Sequence, residues 1–436
     1  MSDESSIRVL SLNCWGLKYI AKNLDERIEA IAQHLANAGH DIIALQEIWV
    51  FAHYERVQQR VSSRLPHSKF FYSGALGAGL AIFSRYPFVS TGIYPYSLNG
   101  TPMDVASGDW FVGKAASYVT ILHPILGQVQ VFNTHFFAKG GEDGPEHNRA
   151  HRLVNAWEFA KLARHAAEVG KYVIAIGDFN SIPPTLPMTV ILEHANLQDS
   201  WVVTHPNVDL SQISTPLEAI RQLGITADSP LNTYSARKPY ARDSWGKRLD
   251  YVLYRQPNRP GQLVPHLKAV ESKVVLTDVV PGRDFSYSDH FGLEVTLEIV
   301  PSEIAQEPTV TKELSSAISA TVISALTSCY RFSRERSRKE LIIFGLCILV
   351  LLMVVIGAAW LPHSWINPIF VLFTIFIAWL ATTMLYEGFI FGNWECNALL
   401  NVIEELEIHR KGQQLLFGRP QTRANNVPST DANTSS

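Results

Sequence analysis

Six short polar motifs interrupt or border apolar runs in the first 300 residues: Asn13, Glu47, His135, Asp178 with Asn180, Asp250, and Asp289 with His290. Singly, each has an ordinary use, because Asn and Asp form turns at strand ends. Together they supply four carboxylates, two imidazoles and two carboxamides. Such a group repels itself unless a cation sits within it. Its donors are oxygen and nitrogen, with Cys14 the only thiol nearby. Hard oxygen donors favour Mg²⁺ over Zn²⁺. Carboxylates and imidazoles around Mg²⁺ suit the activation of water against a phosphodiester.

The elements that must carry these groups are legible around Val173–Asn180, which reads Val-Ile-Ala-Ile-Gly-Asp-Phe-Asn. An uninterrupted apolar run closed by turn chemistry predicts a strand buried on both faces. Gly177 lets the chain bend there, and Asp178 and Asn180 fall at the strand tip, on one side. The context recurs. Strands are predicted at Ile7–Leu12 before Asn13, Asp41–Leu45 before Gln46-Glu47, Leu80–Ser84, Val129–Thr134 before His135, and Leu249–Tyr254 with Asp250 near its start. A last one, Phe291–Ile299, follows Ser288-Asp289-His290. Leu24, Ile28, Ile31 and Leu35 recur at helical spacing, with Gly39 as C-cap. Glu146–Val169 reads as a long helix closed by Gly170, and residues 204–247 as irregular loop. The alternation predicts an α/β domain with helices covering its sheets, where ligands collect at strand ends.

A chain of 436 residues exceeds one compact core. A net charge of −3 argues against a nucleic-acid-binding surface. Of four cysteines only Cys14 lies in the first 300 residues, which fits a reducing compartment without a disulfide framework. Met1–Ser6 is polar, so no signal peptide is expected.

The C-terminal third changes character. Residues 301–330 shift to Ser, Thr, Glu and Ala, and Arg331, Arg334, Arg336, Arg338 and Lys339 form a basic cluster. Leu341–Leu361 then gives 21 residues without a charge. As a helix this run spans roughly 30 Å, a bilayer core. Pro362-His363-Ser364-Trp365 breaks it, and Ile366–Leu385 is a second uncharged run. A transmembrane hairpin is expected, and the basic cluster before it puts both ends in the cytosol. The cluster also suits anionic lipid, at about 1 kcal/mol per charge near the surface. The expected organisation is a catalytic domain at 1–300, a juxtamembrane linker at 301–340, a hairpin at 341–386, an amphipathic helix at 387–417 and a disordered tail at 418–436.

The motifs Asn13-Cys14-Trp15-Gly16, Gln46-Glu47, Asn133-Thr134-His135, Gly177-Asp178-Phe179-Asn180, Leu249-Asp250-Tyr251 and Ser288-Asp289-His290 occur in the order of the endonuclease/exonuclease/phosphatase superfamily. Within it the chain resembles the neutral sphingomyelinases and the fungal inositol phosphosphingolipid phospholipases C, through Trp15–Tyr19, Ile43–Trp49, Gly79–Ile82, Gly108-Asp109-Trp110 and Gly113-Lys114. The resemblance covers residues 7 to about 300, and the hairpin fits it. It implies a four-layered α/β sandwich and a Mg²⁺-dependent phospholipase C acting on a sphingolipid in the bilayer. Glu47 would be the central Mg²⁺ ligand, with Asn13 and Asp289 beside it. His290 would be the general base, oriented by Asp250. Asp178 and Asn180 would hold water or a phosphoryl oxygen, and His135 would assist the transition state or leaving group. Asp109 and Lys114 match the family's Asp/Lys switch. An anionic phospholipid activator, a homodimer, and an endoplasmic reticulum or mitochondrial membrane are expectations of the same kind. One departure is Phe137, where relatives often carry a second histidine. The alternatives are a phosphatase or nuclease of the same superfamily, acting on inositol phosphates or nucleic acid, and a non-enzymatic membrane scaffold.

Overall fold

The computed structural model describes residues 4–417 apart from 106, 142–143, 238–244, 308–312 and 362. Pro362 of the expected turn and the tail from Gly418 therefore lie outside the described residues.

The continuous apolar runs become strands buried on both faces, because two sheets pack on each other and helices cover their outer sides. One sheet joins β1 (Ser6–Asn13), β2 (Ile42–Gln46), β3 (His67–Phe71), β4 (Leu80–Ser84), β11 (His266–Val275) and β12 (Gly292–Val300) in the order β11-β12-β1-β2-β4-β3. The other joins β5 (Phe88–Pro95), β6 (Ala115–His123), β7 (Gly127–His135), β8 (Tyr172–Asp178), β9 (Gln198–Asp199) and β10 (Asp250–Arg255) in the order β5-β6-β7-β8-β10-β9. Val9, Ile42, Val131, Ile174 and Val252 fill the space between them. Helices α1 (Leu24–Asn37) and α2 (Phe51–Val61) cover the first sheet through Ile28, Ile31 and Val57. Beyond a short turn, α3 (Asp109–Val112), helices α4 (Glu146–Glu168) and α5 (Leu186–His194) cover the second. The expected α/β architecture of sheets between helices is the one observed.

The strands that the sequence reading does not anticipate are β3, β5, β6, β9 and β11. All but β6 are sheet edges. An edge strand is half solvated, so its sequence lacks a continuous apolar run; β11 alternates buried and exposed residues. The stretch 204–247 also departs from expectation, since it holds a further helix at Pro216–Leu223, set by a capping box between Thr215 and Glu218.

After residue 300 the expected linker, read as a partly helical connector, is helical from Ser316 and runs unbroken into the first apolar run as Ser316–Gly357, the stem helix. Ser315 caps it by accepting a hydrogen bond from Ile318, and no proline interrupts it. It runs antiparallel along α4. Glu313, just before it, pairs with Arg164 near the end of α4 at 2.5 Å. Further on, Phe332 stacks on His147 at the start of α4 with ring centres 4.5 Å apart. Since α4 begins after the loop that follows His135, the stem helix climbs toward the strand ends that carry the polar motifs. Its apolar part then leaves the domain. The second apolar helix, Asn367–Leu385, returns beside it and continues through a π-helical segment, Tyr386–Phe391, into Gly392–Phe417, the return helix. This last helix lies where an amphipathic helix is expected, and its apolar side is buried: Leu399, Val402 and Leu406 share one core with Val322 and Leu326 of the stem and Leu153 of α4.

A buried ion cluster closes the joint. Glu395 lies 2.9 Å from His151 and 2.5 Å from Arg336. Arg336 thus leaves the expected basic surface, while Arg331, Arg334 and Arg338 stay exposed. Replacing Glu395 with Ala strands both partners and is expected to cost about 3–5 kcal/mol. Chemical denaturation in detergent reads this directly; a loss under about 1 kcal/mol would mean that the cluster contributes no more than a surface pair.

Candidate active site

The polar motifs meet because six strands, three from each sheet, present their ends at one edge of the sandwich. In the second sheet, β8 is flanked on both sides: Asp178 stands opposite His135 of β7 and opposite Asp250 of β10. In the first sheet, Asn13 at the end of β1 stands opposite Gln46 of β2. The next residue, Glu47, takes a left-handed conformation with φ 54°, which turns its carboxylate out of the strand direction. His290 precedes β12, the other neighbour of β1.

The Asn13 amide bridges the sheets. Its Nδ2 donates to Glu47 Oε1 at 3.0 Å and to Asp178 Oδ2 at 3.0 Å. His290 Nδ1 is 2.8 Å from Asp250 Oδ2, and its Nε2 is 3.9 Å from Asp178 Oδ2. His135 Nε2 lies 3.5 Å from Asp178 Oδ2 and 3.9 Å from Glu47 Oε1. Lys114 enters from the other side, with Nζ 3.0 Å from His135 Nε2 and 2.9 Å from Asp109 Oδ1, and donates to the Phe136 carbonyl at 2.7 Å. Asn180 reaches the same carbonyl through Nδ2 at 3.0 Å. Asp289 adjoins the group, and its charge acts on Glu47. All ten candidate residues therefore lie at one edge, Asp109 through Lys114 and Asn180 through Phe136. Phe137, in place of a second histidine, packs against the His151 ring.

The charges are set against one another. Burial pushes Asp178 up to about 7, helped by Asp250 and opposed by His290. Burial and the Asp289 charge also raise Glu47. Burial works against the charged form of His290, yet Asp250 and Asp178 outweigh it and hold the imidazole well above its ordinary value. Burial and the Lys114 ammonium drive His135 well below. Two carboxyls raised by burial mark a site short of positive charge.

Residues 10–290 match the model of the endonuclease/exonuclease/phosphatase family. The chain belongs to this family. It is 35% identical over 425 residues to the inositol phosphosphingolipids phospholipase C of Schizosaccharomyces pombe, covering 94% of this chain and 95% of that one. The protein of the same name from Saccharomyces cerevisiae is 31% identical over 446 residues, covering 93% and 91%. Sphingomyelin phosphodiesterase 2 of Homo sapiens is 29% identical over 311 residues, covering 70% and 67%.

This edge of the endonuclease/exonuclease/phosphatase fold fits a hard divalent cation on its donor set alone. Glu47, Asp178 and Asp289 offer carboxylate oxygens, and Asp250 Oδ1 is buried without a hydrogen-bond partner. A cation held next to Asp178 would oppose, by its charge, the proton that burial favours there. Mg²⁺ affinity is accordingly expected to weaken about tenfold per pH unit as pH falls below about 7, read by calorimetry. A pH-independent affinity between pH 6 and 8 would contradict the linkage.

Arg27 escapes the sequence reading, although a charge on the buried face of α1, beside Ile28, is a visible anomaly. Its guanidinium donates to the carbonyls of Cys14 at 2.8 Å, Trp15 at 2.7 Å, Lys22 at 2.8 Å and Tyr287 at 3.1 Å. It ties the loop after Asn13 to the loop before Asp289. Lysine cannot fork in this way. Arg27→Lys is expected to weaken Mg²⁺ binding about 10–100-fold in a folded protein. Unchanged affinity in titrations would show that the clamp does not tune the site. Gln46 and Asn133 are also unforeseen in their role: Gln46 Nε2 donates to Asn133 Oδ1 at 2.7 Å, and Asn133 donates to the carbonyls of Leu45 and Ala81, pinning the two sheets together beneath the site.

Proposed function

We propose that the chain is a membrane-anchored, Mg²⁺-dependent phospholipase C that hydrolyses sphingolipid phosphodiesters to ceramide and a phosphorylated headgroup. The observation that carries this reading is the direction of the stem helix. It rises along α4 toward the catalytic edge and continues as an exposed apolar helix, so the acids and imidazoles face the side from which the apolar helices leave. Trp110, next to Asp109, meets the ring of Tyr386 just past the second apolar helix, with centres 6.5 Å apart. Both apolar helices are long enough to cross a bilayer. A lipid phosphodiester at headgroup depth would reach this edge without leaving the membrane. The basic residues Arg331, Arg334 and Arg338 precede the hairpin, which supports cytosolic ends.

His290, held by Asp250, takes the proton of the attacking water. Glu47, Asn13 and Asp289 would hold the cation, which when bound would supply positive charge to polarise the phosphoryl group and offset the carboxylates. Asp178 and Asn180 orient water or a phosphoryl oxygen. His135 and Lys114, the latter paired with Asp109, offset the charge that develops on the leaving alkoxide.

The experiment is headgroup release by the full chain from inositol phosphoceramide vesicles, sphingomyelin vesicles, DNA and inositol polyphosphates, with and without Mg²⁺. Ceramide formation that requires Mg²⁺ is expected from at least one lipid. Turnover of the soluble substrates alone would favour the superfamily phosphatase or nuclease reading instead.

A further inference from the structure

Five exposed apolar side chains lie at the catalytic edge, and no part of the described chain covers them. Tyr19, 92% exposed, and Ile20 sit in the turn between β1 and α1. Leu76 sits in the loop entering β4, and Met103 and Val105, the latter 69% exposed, lie in the loop that leads to Asp109. All three loops join strand ends at the edge that carries Asn13, Glu47 and His135. Singly exposed apolar residues are ordinary. Here they come from three separate loops around one site.

Contacts fix the level of one rim residue, Met103. Glu387, two residues past the second apolar helix, accepts a hydrogen bond from the Met103 backbone. The adjacent Gly388 lies against Leu341, the first residue of the first apolar run, so closely that a Cβ there would come within 2.9 Å of its side chain. Met103 therefore stands level with the start of the apolar run. We infer that Tyr19, Ile20, Leu76, Met103 and Val105 form a second bilayer contact, a rim that enters the headgroup–acyl boundary around the active site. The occupant is the lipid surface. A segment at that boundary buries its apolar face about 5–10 Å deep. Lys18, its ammonium 5.1 Å from the Tyr19 ring centre, is suited to stay at phosphate depth. The rim fixes the tilt of the catalytic domain, which the hairpin alone holds from one side, and turns the site onto the lipid phosphodiester.

The inference rests on the membrane-spanning reading, and the test separates the two. The four native cysteines are buried. Single variants Tyr19→Cys, Val105→Cys, Val355→Cys and Val169→Cys of the full chain are labelled with a polarity-sensitive fluorophore in nanodiscs containing nitroxide-bearing phosphatidylcholine. Val355 is exposed on the apolar part of the stem, and Val169 lies at the opposite end of the sandwich, past α4. Loss of fluorescence at Tyr19, Val105 and Val355, but not at Val169, is the expected result. Quenching at Val355 without quenching at Tyr19 or Val105 overturns the rim and leaves the spans standing. No quenching at Val355 overturns both. A second measurement uses the Tyr19→Ser, Ile20→Ser double variant. Its KM for lipid in vesicles is expected to rise while turnover of a short-chain, water-soluble analogue stays unchanged; an unaltered vesicle KM contradicts the rim.

Discussion

His290→Gln is expected to lower kcat on sphingolipid vesicles by about a thousandfold or more, with the fold intact. Glutamine retains a hydrogen-bonding group opposite Asp250, so the 2.8 Å contact has a replacement partner. What it cannot do is accept a proton. Without a cation, Asp250 and Asp178 raise the proton affinity of the His290 imidazole against the cost of its burial. A divalent positive charge beside Glu47 would lower that proton affinity and free Nε2 to act as a base. The loss should appear in kcat, because His290 acts on the reacting water and not on the lipid chains. Measurement of kcat and KM on purified, folded variant decides it. A variant that keeps a tenth or more of the turnover would remove His290 from the role of base, since general-base loss costs about 100–10,000-fold.

Glu47→Gln is expected to abolish the response to Mg²⁺ while leaving the cation-free protein as stable as before or more so. The carboxylate lies among negative neighbours, and burial together with Asp289 already raises its proton affinity. A neutral isostere relieves that repulsion and keeps an oxygen for the Asn13 amide at 3.0 Å. The parent chain should gain thermal stability as Mg²⁺ is added, by about 2.7 kcal/mol at a hundredfold excess over Kd. The variant should show no such rise, and its activity should fall by at least about a hundredfold. Melting curves in chelator and in Mg²⁺ read both effects. An undiminished Mg²⁺ shift in the variant would take Glu47 out of the cation site.

The parts of this architecture that the amino-acid order reveals are those under the strictest physical constraint. Strands such as Tyr172–Asp178 and Ile42–Gln46 are buried on both faces, so they must be apolar throughout, and that pattern is visible without coordinates. The polar tips stand out against it. Edge strands such as Phe88–Pro95 carry no such pattern because half of their surface meets water. The stem helix is hidden for another reason. Residues such as Val322 and Leu326 cover α4 only because the chain returns to it after residue 300, and no local signal marks a long-range contact. Arg336 reads as one of a basic cluster until Glu395, 59 residues away, draws it inward. The Asp109–Lys114 pair, by contrast, is legible as spacing within one loop, and the 2.9 Å contact follows the local turn.

The most direct measurement is hydrolysis of inositol phosphoceramide vesicles by the full chain in heavy-oxygen water with Mg²⁺, followed by mass analysis of both products. Attack by water activated at His290 on phosphorus puts the heavy oxygen in the phosphorylated headgroup and leaves the ceramide hydroxyl unlabelled. Label in the ceramide hydroxyl, or equal release when Mg²⁺ is chelated, would contradict a cation-dependent attack on phosphorus at this edge.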